Sequence, residues 1–241
     1  MVKVRSCSFW RALGILIFGV WLSMAPRIVS AEKTDWKDKS YNFAQVKRAL
    51  VYDADISAAG FKGSVKEKKY VQDYMNYAKK LGFEVLTYDD AWRKVSVAIG
   101  EDLDKIAASD RQRADALFGE NLRKVADVWI VGRAIKWEND YYIAPERTVW
   151  ERKRVDRSYR DKDGKWVDDY YYVTVPVTHP AHRVDRSKLD MTFEVCDAKT
   201  GKMIFGREDS REREEYDAQG GMYERICKSF FGDFGKVVNN D

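Results

Sequence analysis

Residues 126–137 read Ala-Asp-Val-Trp-Ile-Val-Gly-Arg-Ala-Ile-Lys-Trp, and this stretch decides the fold. Four apolar residues in succession, Val128 to Val131, suit a strand buried on both faces, which places it at a sheet centre. Trp129 and Val131 are therefore expected in the core. Gly132 removes a side chain where the run ends, as a bulge or a close backbone approach requires. Beyond it the pattern relaxes to alternation, with Ala134 and Lys136 set against Arg133, Ile135 and Trp137.

Toward the amino terminus, strand-like runs alternate with helical periodicity. Residues 32–45 are polar and read as loose, and residues 46–52 form a first strand around Ala49, Leu50 and Val51. In the loop that follows, Gly60 and Gly63 lack the lysine and hydroxyl partners of a nucleotide-binding loop. Ser64 and Glu67 make a capping box for a helix running to about Leu81, with Gly82 as its left-handed terminator. Val71, Tyr74, Met75 and Ala78 fall on one face of that helix. Residues 83–88 are a second short strand, and Asp89 or Asp90 caps the next helix, which carries Trp92, Val95 and Ile99. Gly100 interrupts, and a further helical piece reaches about Lys124 with Leu103, Ile106, Leu117, Leu122 and Val125 as its apolar positions. The order β-α-β-α-β favours parallel pairing with helices packed on the sheet.

Toward the carboxyl terminus the style changes. Residues 147–160 and 165–177 are extended stretches joined at Asp161-Lys162-Asp163-Gly164, a hairpin signal. Eight basic and seven acidic residues lie between Glu146 and Asp169, so the hairpin reads as charged on both faces, without the alternation of a membrane barrel. His179-Pro180-Ala181-His182 breaks the run. A second hairpin, 189–197 with 202–208, turns at Ala198-Lys199-Thr200-Gly201. A last helix, about 221–238, presents Tyr223, Ile226, Phe230, Phe234 and Val237 to the sheet. The expected fold class is α/β: a mixed sheet flanked by helices, closed by antiparallel hairpins and a carboxyl-terminal helix. One domain spans 32–241, with the charged aromatic hairpin inserted at about 140–186.

The first residues address the compartment. Lys3, Arg5 and Arg11 precede an apolar run, Ala12 to Met24, and Val29-Ser30-Ala31 offers small residues to a signal peptidase. Residues 1–31 read as a secretory signal cleaved after Ala31; the run falls short of the roughly 20 residues of a spanning helix, and an uncleaved anchor is the alternative. The whole chain carries 43 Lys and Arg against 39 Asp and Glu, but residues 1–31 hold four basic groups and no acid. The mature chain is then neutral and has no global field to draw nucleic acid or an anionic membrane. Two of the three cysteines, Cys196 and Cys227, survive processing in a compartment that permits disulfides, and both bridged and free states are open.

Three short motifs carry a resemblance. Ala126-Asp127-Val128-Trp129-Ile130-Val131-Gly132 is similar to the A-D-aromatic-x-[IV]-x-G strand opening of the curli-secretion-channel (CsgG-like) domain and the TolB amino-terminal domain, with the aromatic displaced by one. Asp197-Ala198-Lys199-Thr200-Gly201-Lys202 matches their D-x-x-T-G-K turn, and Gly82-Phe83-Glu84-Val85 resembles the strand after their first helix. The resemblance covers about 43–137 and 189–238 in outline. It implies a bacterial envelope location and an assembling or binding role rather than an enzyme. The chain departs from the lipoprotein members, since Cys7 precedes the apolar run instead of following it.

Candidate chemistry is sparse. His179 and His182 with Asp185 have the residue types of a zinc site, but the intervening Pro180 prevents a helix from placing both imidazoles on one face, and a turn explains them. Asp161, Asp163 and Gly164 echo a calcium loop, yet Tyr159 and Tyr170 stand where its terminal carboxylates belong. No nucleophile–base motif, cofactor or metal site is expected. The remaining candidates are Trp150, Arg152, Arg154, Tyr159, Trp166, Tyr170, Tyr171 and Tyr172 on the charged hairpin. Basic residues interleaved with aromatics suit single-stranded nucleic acid, but seven acids in the same stretch and export both argue against it. The residues fit a protein or glycan contact surface. The chain therefore reads as an exported, non-catalytic binding or assembly module of the periplasm or cell envelope, with no membrane span after signal cleavage and homo-oligomer formation left open. The alternative is an exported hydrolase whose carboxylates converge only in three dimensions.

Overall fold

A computed structural model describes residues 30–239. Its centre is a six-stranded mixed sheet. In chain order the strands are β1 (Ser30–Lys37), β2 (Arg48–Val51), β3 (Glu84–Leu86), β4 (Val128–Ala144), β7 (His182–Asp197) and β8 (Met203–Arg213), arranged β1-β8-β7-β4-β2-β3. β2 runs parallel to both β3 and β4, and the other neighbours are antiparallel. Two further strands, β5 (Arg147–Arg160) and β6 (Trp166–His179), make a separate two-stranded sheet. The α/β reading therefore holds.

One face of the sheet is covered by α1 (Val65–Ala78) and α5 (Gln219–Asn239). Along α5, Met222, Tyr223, Ile226, Cys227, Phe230, Phe231, Phe234 and Val238 are buried at helical spacing. They meet the alternate residues Leu189, Met191, Phe193 and Val195 of β7, and Phe193 stacks on Phe230 with ring centroids 4.1 Å apart. Each such side chain contributes roughly 1.5–3 kcal/mol through burial. The opposite face is covered only at the β2–β3 end, by α2 (Tyr88–Ile99), α3 (Leu103–Ser109) and α4 (Arg111–Asn121) around Leu50, Leu86, Trp92, Val95, Leu103 and Phe118. Over β7 that face stays open and half-exposed, lined by Lys188, Asp190, Thr192 and Glu194.

This one-sided cover corrects the expectation for β4. Val128, Ile130 and Ala134 are buried beneath α1 and α5, but Trp129 and Val131 point to the partly covered face and are only half-buried. Gly132 is a close approach: a side chain there would begin 2.9 Å from Tyr74 on α1. The bulge lies further along, between Ala134 and Lys136.

Local chemistry sets the element ends. Ser64 accepts the Glu67 N–H at 3.1 Å, while the Glu67 carboxylate reaches back to the Gly63 N–H rather than to the cap itself. The helix ends at Ala78, three residues earlier than expected. Thr87, not Asp89 or Asp90, caps α2, because its hydroxyl accepts the Asp90 N–H while its own O–H donates to the Asp90 carboxylate. The helical piece after Gly100 is divided at Asp110, which ends α3 and caps α4. β1 replaces the loose segment expected from residue 32 onward. Its polar side chains are tied down by charge: buried Arg207 donates to Asp35 at 2.6 and 2.8 Å and to Asp233 of α5 at 2.9 Å, and Lys33 donates to Asp233 at 3.0 Å. Cys196 and Cys227 are free and buried, one at the bulged end of β7 and one on the buried side of α5; burial pushes the Cys196 thiol up to about 11. Apart from Ser30 and Ala31, the segment read as a signal lies outside the described residues.

Candidate functional site: a two-stranded arm

β4 and β7 outrun the rest of the sheet. Pairing between β7 and β8 ends at the Ser187–Arg213 rung, whereas β4 and β7 continue together to Ala144 and His182. Pro145 and Pro180 then interrupt the ladder, and β5 and β6 carry on as a ribbon 14 rungs long, Arg147–His179 to Arg160–Trp166. At about 3.4 Å per residue β5 alone extends roughly 45 Å. The tip is the expected turn: the Asp161 carboxylate accepts the Asp163 and Lys165 N–H groups at 2.9 Å, and Gly164 has φ +71°.

The arm is anchored at its root. Asn139, Ser187 and Gln219 share a knot in which Ser187 donates to Asn139 (2.8 Å) and Gln219 donates to Asn139 (2.9 Å) and to the Glu138 carbonyl (2.6 Å). Outside it, Arg186 donates to both oxygens of Asp140 at 2.7 Å and to Glu212 at 2.9 Å, and Lys188 adds a contact to Asp140 at 2.9 Å. Hydrogen bonds from Arg186 and Lys188 hold the Asp140 carboxyl far below the usual carboxylate range. The root is thus fastened to the start of α5 and to β8.

Register sorts the eight predicted residues onto two faces. Residues opposite one another on antiparallel strands share a face. Trp150–Pro176, Arg152–Thr174, Arg154–Tyr172, Asp156–Tyr170 and Arg160–Trp166 form one, bringing together Trp150, Arg152, Arg154, Trp166, Tyr170 and Tyr172. Tyr159 and Tyr171 lie on the other. On the first face guanidinium groups cap aromatic rings: Arg152 over Tyr172 at 4.2 Å and Arg154 over Tyr170 at 4.3 Å diagonally, and Arg160 over the directly opposite Trp166 at 5.1 Å. The ladder is open to solvent, with Trp150 70% and Trp166 67% exposed.

The other face is charged as well, at Arg147, Glu151, Lys153, Arg157 and Asp169, as expected of a hairpin charged on both sides, but β6 adds apolar residues to it. It carries Val149–Val177, Glu151–Val175, Lys153–Val173, Val155–Tyr171 and Tyr159–Val167, interrupted by the Arg157–Asp169 ion pair at 2.9 Å. Along β6, Val167, Tyr171, Val173, Val175 and Val177 lie on this side with Asp169, and Asp168, Tyr170, Tyr172, Thr174 and Thr178 lie on the other. The apolar alternation is visible in residues 173–178. Neither β5 nor β6 makes sustained contact with any other element among the described residues.

The other candidates resolve as structure. His182 opens β7 beside the break at Pro180, with its Nδ1 3.1 Å from the Pro180 carbonyl, and Asp185 is held by Arg183 at 2.7 Å. Among the described residues no group of three or more metal-ligating side chains gathers, and no helix is long and apolar enough to cross a membrane. The Asp197 carboxylate of the D-x-x-T-G-K turn accepts the N–H and O–H of Thr200 at 2.8 and 2.6 Å. A recess of about 660 Å³ between α4 and the sheet is lined by Tyr52, Tyr88, Phe118 and Trp129; its one carboxylate, Asp115, is engaged by Arg111 at 2.9 and 3.0 Å. A shallower groove on the open sheet face interleaves Glu32, Asp190 and Glu212 with Lys136, Lys188 and Arg211.

No family model matches the chain, and no curated protein matches it. Among solved structures it is similar to a dodecamer of a PelC point variant from Paraburkholderia phytofirmans, at 8% identity and a TM-score of 0.40, over 86% of this chain and 98% of that one. It is also similar to another PelC dodecamer of the same organism, at 9% identity and a TM-score of 0.35, over 84% and 94% of the respective chains.

Proposed function

We propose that the protein is a non-catalytic binding or assembly module of the bacterial envelope, and that the arm is its contact surface. The observation that carries this reading is the Arg–aromatic ladder. Large side chains that a monomer would normally bury are aligned on a ribbon that makes no sustained contact with another element among the described residues. The root is tied by hydrogen bonds and ion pairs, so the ladder is presented at a fixed place. With guanidinium groups lying over the ring faces, the ladder offers planar N–H donors backed by apolar area, which suits a carboxylate-bearing protein surface. The motif resemblance to CsgG-like and TolB amino-terminal domains and the export signal read at residues 1–31 support the envelope location.

The hydrolase alternative requires carboxylates that converge with one held protonated. The displaced carboxyls on the sheet and arm, Asp127, Asp140 and Asp169, are all held below the ordinary range by arginine partners or backbone N–H groups. The assembly reading is tested by affinity capture from envelope extracts with the mature chain and with a Trp150→Ser, Tyr170→Ser, Tyr172→Ser variant. The expected result is a captured protein that the variant loses, with unchanged circular dichroism. Equal capture by both would overturn the reading, and retention on immobilised polysaccharide alone would transfer the surface to a glycan.

A further inference from the structure

We propose that the valine face of the arm is covered by the same face of a second copy of this chain. The reading rests on the arm being a contact surface but uses the side opposite the Arg–aromatic ladder. A two-stranded ribbon is marginal alone in water. Here one side is apolar along β6 from Tyr171 to Val177, with Val149 and Val155 at the matching ends of β5. Two charges, Glu151 and Lys153, stand between those valines, and they identify the occupant.

Counted outward from the Arg152–Thr174 rung, this face reads Glu151 then Val149 in one direction and Lys153 then Val155 in the other. β6 reads Val175 then Val177 against Val173 then Tyr171. The pattern is apolar-symmetric and charge-antisymmetric about a single rung. A two-fold axis running across the strands at that rung therefore sets Glu151 of each copy over Lys153 of the other, Val149 over Val155, and Val175 over Val173. A foreign partner has no reason to match this inversion; a second copy matches it by symmetry. The same axis sets Arg157 toward Arg147. That pair lies five rungs out, where sheets packed at their usual angle of about 30° have splayed apart, and Asp169 already neutralises Arg157. The contact is confined to the central rungs and is small, so association should be reversible over micromolar concentrations.

The test is sedimentation of the full mature chain across that concentration range, with Glu151→Lys, Lys153→Glu and the double swap. Each single substitution sets like charges against each other at both symmetry-related contacts and should weaken the dimer tenfold or more. The double swap restores both pairs and should recover it. A second pair, Val173→Asp with Val175→Asp, should abolish the dimer while circular dichroism is unchanged. A chain that stays monomeric throughout, or a dimer indifferent to Glu151→Lys, would overturn the proposal. So would a double swap no better than either single one. The Trp150, Tyr170, Tyr172 variant should leave the dimer intact, so failure of the ladder reading and failure of this one are distinguishable.

Discussion

β7 in the body of the sheet and β6 in the arm are built on the same rule and meet opposite fates. Leu189, Met191, Phe193 and Val195 alternate with Asp190, Thr192 and Glu194, just as Val173, Val175 and Val177 alternate with Thr174, Pro176 and Thr178. In the body α5 lies over the apolar side and the residues are fully buried; in the arm no described element does, and the valines are only half-buried. Alternation specifies that a face wants cover. It does not say who supplies it.

The largest expected effect lies on the covered side of this contrast. Phe230→Ala removes a fully buried ring stacked on Phe193 and should cost about 3–5 kcal/mol in chemical denaturation. A loss below about 1 kcal/mol would mean that α5 does not seal the sheet as described. Gly132→Val tests the tightness of the same layer. Its new side chain would start 2.9 Å from Tyr74, and overpacking should cost about 1–3 kcal/mol. A neutral outcome would place α1 further from β4.

Asp127 tests the seam between β2 and β4 and carries a pH signature. It accepts the Lys47 and Arg48 N–H groups at 2.9 Å and the Arg48 guanidinium at 3.0 Å. Burial alone would raise this carboxyl, but the bonds from Arg48 and Lys47 together outweigh it and lower the pKa in the fold. The stabilisation is therefore complete above the ordinary carboxyl value of about 3.9 and is lost as pH falls through the lower folded value. Asp127→Asn should cost about 2 kcal/mol at neutral pH, with the gap to the native protein closing below about pH 4 in acid melts. A gap that widens in acid would reverse the sign of the assignment.

The smallest effect is expected on the uncovered side. Replacing residues 147–177 with a short Gly/Ser connection should change the unfolding free energy of the monomer by no more than about 0.5 kcal/mol, because among the described residues that ribbon makes no sustained contact outside itself. A shortened chain that fails to fold would erase the distinction between body and arm.

What was legible in the sequence follows the same division. The central strand, the Ser64 cap and the burial face of α5 could be read because apolar periodicity and cap chemistry are local. The half-buried state of Trp129 could not, since it depends on α2 to α4 covering only the β2–β3 end. β1 was missed because Lys33 and Asp35 meet their partners Asp233 and Arg207 across the fold, leaving no apolar pattern to read. The ladder residues were identifiable as types, but only the register of β5 on β6 separates Tyr159 and Tyr171 from the other six.

The β1 latch also dictates timing. Asp35 and Arg207 are 172 positions apart and Lys33 and Asp233 are 200, so the edge of the sheet is completed by groups from nearly opposite ends of the chain. Closing so long a loop is entropically costly and kinetically late. While the chain is still being delivered, β1 has neither its neighbouring strand nor the helix carboxylate that fixes it. The exposed edge of β8 must wait as well. A polypeptide wired in this way seals this edge of its sheet only once the helix carrying Asp233 has been made.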